Sequence, residues 1–78
     1  MWRPGFLRWT ILNADVPIAA GIVPARAGQA EQVALDALAD YAGLTGLHHR
    51  DMAVLTCVVV PDGWPLEVPL ATADGRDW

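Results

Sequence analysis

The chain has 78 residues, a formal charge of −4 from nine acidic side chains and five arginines, one cysteine, and neither lysine nor serine. That length holds one domain, residues 1–78. Cys57 alone cannot form an internal disulfide and suits a reducing, cytoplasmic setting, and the missing residues remove a Schiff-base amine and the commonest hydroxyl nucleophile, while so acidic a chain is a poor builder of the basic face that nucleic acid requires.

A folded monomer of 8.4 kDa should expose roughly 4,600 Å², against about 12,000 Å² unfolded. About 60% burial is a marginal core, yet 54% of the residues are hydrophobic. The expectation is surplus apolar surface that meets a partner or a second copy. No apolar run reaches the ~18 residues of a membrane span. Asn13, Asp15 and Pro17 interrupt the stretch that would otherwise read as a secretory leader.

Residues 6–12 read as a strand, with Leu7, Trp9 and Ile11 on one face and Arg8 and Thr10 on the other. Asn13, Ala14 and Asp15 form a turn. Residues 16–23 return as a second strand, which Pro17 and Gly21 demote to an edge or bulged strand. A helix is predicted over residues 29–42. Gly28 serves as N-cap with Glu31 reaching back to it, and Gly43 as the terminating glycine. Ala30, Val33, Ala34, Ala37, Leu38 and Tyr41 make its apolar stripe, with Gln29, Gln32, Asp36 and Asp40 opposite. Residues 52–60 form the strongest strand, apolar on both alternating sets and so buried on both faces. Pro61, Asp62, Gly63 and Trp64 make a turn. Residues 64–70 return as an edge strand, where Leu66, Val68 and Leu70 alternate with Pro65, Glu67 and Pro69. Residues 71–78 carry no readable pattern. The expected fold is α+β: an antiparallel sheet of three or four strands with one helix on a face, in the order β-β-α-β-β.

One cluster looks chemical. His48, His49 and Asp51 could line a ligand site between subunits of a small homo-oligomeric enzyme or ligand-binding protein. Adjacent histidines diverge on a strand or helix, so chelation by both needs a loop, and no metal site or cofactor is predicted. Cys57 sits mid-strand among apolar residues, which makes its thiol inert and supplies no catalytic residue.

The preferred reading is a non-catalytic acidic module that binds another protein, a basic one by charge, as regulator or inhibitor. Its size and charge are of the kind found in antitoxins and phage-encoded inhibitors. Gln32, Asp36 and Asp40 supply an acidic helix face. Trp64, Trp2 and Trp78 supply anchors of large area and few rotors. Homodimerisation is a further expectation; neither a membrane nor nucleic acid is an expected partner.

Overall fold

In a computed structural model, residues 5–76 are described, His49 by its backbone alone. Strand β1 (Phe6–Asn13) pairs antiparallel with β2 (Val16–Pro24). Ala14 and Asp15 join them with φ of 50° and 67°. Two left-handed residues give the turn whose twist matches that of the flanking strands, and here neither is glycine. β2 is the bulged edge strand that Pro17 and Gly21 predict. Ile11 faces Ala19 and Leu12 faces Pro17, so Ile18 is the extra residue.

β2 leads through a 3₁₀ turn (Ala27–Gln29) into helix α1 (Ala30–Thr45). The helix starts and stops later than its glycines suggest. Gln29, not Glu31, makes the reciprocal capping contact, its Oε1 accepting the Arg26 N–H at 2.8 Å. Gly43 stays inside the helix, and Gly46, at φ 70°, ends it by donating to the Ala42 carbonyl. The predicted stripe is the buried one: Ala30, Ala34, Ala37, Leu38 and Ala42 are buried, with Val33 and Tyr41 half-buried beside them. Four of these five buried residues are alanine, so the helix can lie close on whatever it covers.

A four-residue helix α2 (His49–Met52) precedes β3 (Leu55–Pro61), which pairs antiparallel with β1. The start of the predicted strand is therefore helical, and Met52 is a core residue reached from that turn. The sheet closes with β4 (Ala71–Asp74) on the other side of β3, giving the order β2-β1-β3-β4, antiparallel throughout. This is the expected β-β-α-β-β chain with one long helix on an antiparallel sheet. The fourth strand, however, is not residues 64–70. That stretch is a connection of turns, and the strand comes from the segment without pattern. Pro65 and Pro69 lack the donors a strand would use, and pairing resumes only at Leu70, whose N–H meets the Val59 carbonyl at 2.8 Å.

β3 is buried on both faces, as its composition requires. Leu55, Cys57 and Val59 join Leu7, Ile11 and the helix stripe in one core. Val58 and Val60 lie on the other face, opposite Thr10 and Arg8 of β1, and are also buried. The connection after β3 reaches that second face: Arg8 Nη2 donates to the Trp64 carbonyl at 2.8 Å. A guanidinium rising from the face thus holds the connection by its backbone. The whole chain exposes 4895 Å², close to the area its mass predicts.

Two backbone positions carry opposite tests. A side chain at Gly75 would fall onto the Met52 carbonyl, so Gly75→Ala should lose about 2–3 kcal/mol of stability. Ala14→Gly relieves a left-handed alanine and should gain about 1 kcal/mol. Urea denaturation followed by circular dichroism measures both, and equal signs for the two variants would refute this account of the backbone.

Candidate functional site

Trp9 and Gly21 are direct cross-strand partners on the helix-facing side of the sheet. A Cβ placed on Gly21 would lie 2.6 Å from Trp9 Cζ2 and 2.8 Å from its Nε1. The indole therefore lies against the bare backbone of β2, in space that only glycine leaves free. Helix α1 packs on β1, β3 and β4. The flank above β2 is left open, and a cleft of about 270 Å³ runs there between helix and hairpin.

Trp9 and Val23 form the floor of the cleft, and Val33 and Ala37 the lower part of its helical wall. Gln29, Gln32, Asp36 and Asp40 make the rim. Residues 29, 33, 36 and 40 recur at helical spacing, so one face of α1, with its N-cap Gln29, supplies the wall. The two carboxylates are one turn apart, about 6 Å along the axis. Gln32 Nε2 donates to Asp36 Oδ1 at 2.8 Å, which orients that carboxylate. Among the described residues, neither Asp36 nor Asp40 has a basic partner. The lining has carboxylates, carboxamides and an indole but no histidine, cysteine or hydroxyl. Such a set suits a cation, held by charge at the rim and by the ring face below.

The predicted site residues are only partly brought together. Gln32, Asp36 and Asp40 share the rim, as their helical spacing requires. Trp64 does not join them: it belongs to the connection held by Arg8 on the opposite face. Trp2 and Trp78 lie outside the described residues. His48 and Asp51 are exposed at the α2 turn, where the Asp51 N–H bonds the His48 carbonyl, and neither lines the cleft. Among the described residues no three His, Cys, Asp or Glu side chains cluster as metal ligands would. Trp9, on the strand face it shares with Leu7 and Ile11, is half-buried and floors the cleft. No described helix is long and apolar enough to cross a membrane.

Cys57 is fully buried beneath the helix, and desolvation pushes its thiol up to about 11, partly offset by a hydrogen bond with the backbone of Thr10. Thiolate is the reactive form, so the folded protein keeps this sulfur inert near neutral pH.

Fold and cleft together define a class: a small α+β domain with an acid-rimmed, aromatic-floored groove beside its helix. No protein-family model matches the chain, and neither a curated protein nor a solved structure does.

The buried thiol has a pH signature with a definite sign. The unfolded thiol ionises near 9.0 and the folded one near 11. Below both values the group contributes nothing; as pH rises between them, only the unfolded state loses its proton. Stability should therefore fall with a slope approaching about 1.4 kcal/mol per pH unit from this group. Comparing denaturation midpoints at pH 8 and pH 10.5 for the native chain and Cys57→Ala checks this: the variant should lose less, and an equal loss would assign the effect to other groups.

Proposed function

We propose that this domain is a non-catalytic protein-binding module that takes a basic, extended segment of another protein into the cleft, and so acts as a regulator or inhibitor of that protein. The observation that carries the reading is the pair Asp36 and Asp40, without basic partners among the described residues, standing over the Trp9 indole in a groove. An arginine suits such a site because its planar guanidinium both pairs with carboxylates and stacks on rings. The spacing suits an extended segment. Alternate residues of a strand are about 6.6 Å apart, close to the one-turn separation of the two carboxylates. Two arginines at i and i+2 could therefore meet Asp36 and Asp40 together. The chain's net charge of −4 adds a longer-range attraction that speeds encounter with a basic partner.

The test is a ¹H–¹⁵N NMR titration with a short Arg-Ala-Arg peptide. Shifts should concentrate at the Trp9 indole and at α1 residues 32–40, and raising salt from roughly 50 to roughly 500 mM should weaken binding, because the rim is exposed and screened. Asp36→Asn with Asp40→Asn should lower affinity at least about tenfold. Binding indifferent to this pair, or shifts centred on the His48–Asp51 turn, would overturn the reading.

A further inference from the structure

The two edges of this sheet are built differently. β4 has four residues and ends on a charge, Asp74. β2 has nine residues, no charged side chain, and among the described residues no strand on its outer side. Short or charged edges resist pairing, and a long uncharged one invites it.

The hydrogen-bond parity identifies the groups on offer. The Ala25 N–H donates to Gly5 O, and the Asp62 N–H to Phe6 O. Odd-numbered residues of β1 therefore bond towards β2, and even-numbered ones towards β3. With Trp9 opposite Gly21 and Leu7 opposite Val23, Gly21 and Val23 turn their polar backbone groups inward. Ala20 and Ile22 turn theirs outward. Pro24, opposite Phe6, faces outward too, but has no N–H to offer. Pro17, opposite Leu12 beyond the bulge, likewise faces outward without a donor. A proline thus closes each end of a short window whose donors are the N–H groups of Ala20 and Ile22.

We propose that this window joins two copies of the chain, β2 against β2, into one continuous antiparallel sheet of eight strands. Antiparallel pairing of a strand with itself about a two-fold axis is the isologous contact that closed dimers use. An axis beside Gly21 sets Ala20 of each copy opposite Ile22 of the other, and all the outward donors of the window find acceptors. The side chains agree. Ile22 is 56% exposed and Ile18 40%, so pairing covers apolar surface that the monomer leaves wet. Charge points to a second copy over the basic partner of the cleft: an uncharged strand offers nothing to a cationic segment, while two copies, each at −4, can meet here without opposed carboxylates. The prolines stop the pairing from extending, so the product is a closed pair.

The dimer is independent of the cleft reading, because it uses the edge of β2 and not the groove above it. Native mass spectrometry and sedimentation of the full chain at roughly 0.5 mM should give twice the 8.4 kDa mass. In the dimer the Ala20 and Ile22 amides should exchange with solvent more slowly, by at least about tenfold, than in a diluted monomeric sample. Ala20→Pro removes an outward donor without touching the β1 pairing and should weaken the dimer about thirtyfold, both symmetry-related bonds being lost. Ile22→Glu, which sets carboxylates near the axis, should also weaken it, while Leu44→Glu on the far end of the helix should not. A monomer at that concentration overturns the proposal. So does a dimer whose Ala20 and Ile22 amides exchange as fast as in the diluted sample, a reading that needs no variant to fold.

Discussion

The contact between the Trp9 indole and the bare backbone of Gly21 decides how the layers of this protein meet. A ring lying against β2 fills the space into which the helix would otherwise settle. The helix sits instead over β1, β3 and β4, where an alanine-lined face can approach the sheet. From that displacement come both features discussed above: a groove with an aromatic floor, and a strand that the helix does not shelter. Replacing Gly21 would not merely fill a gap. It would push on the ring that keeps the two layers apart on this side.

Much of the fold could be read from the chain. The alternation around Trp9 and the helical stripe each repeat a period over enough residues to be unambiguous, and the run predicted as a strand over 52–60 is apolar on both alternating sets. The last strand was not legible, because residues 64–70 carry a strong period of two and residues 71–74 carry almost none. Alternation reports which side of a ribbon is apolar, and a turn-rich connection lying on a sheet can satisfy it as well as a strand. Of the site, the rim was visible as Gln32, Asp36 and Asp40. The floor was not. Counting back from the Ala14-Asp15 turn with regular pairing puts Gly21 opposite Arg8; only the extra residue at Ile18 moves it opposite Trp9. A bulge of one residue shifts everything beyond it to the other partner and face, and nothing in the local composition announces where it falls.

The second face shows how a chain with little core to spare covers a central strand. Val58 and Val60 are buried on the face away from α1. Arg8, directly opposite Val60 on β1, takes hold of the Trp64 carbonyl on the connection through its guanidinium. The arrangement trades apolar packing for one charge-assisted hydrogen bond. It also explains why an arginine sits in the middle of β1.

The order of the strands bears on how the chain acquires its structure. β1 lies between its neighbour in sequence, β2, and a strand that arrives much later: Asn13 pairs with Leu55 and Leu7 with Pro61, separations of 42 and 54 residues. A lone two-stranded hairpin is at best marginal in water, and the helix that follows has nothing to lie on until β3 is in place. Until β3 arrives, residues 6–45 would thus persist as an unsettled hairpin and a nascent helix. Insertion of the valine-rich strand would then bury both faces at once, which makes that single docking event the cooperative step, and its long loop closure the natural limit on the folding rate.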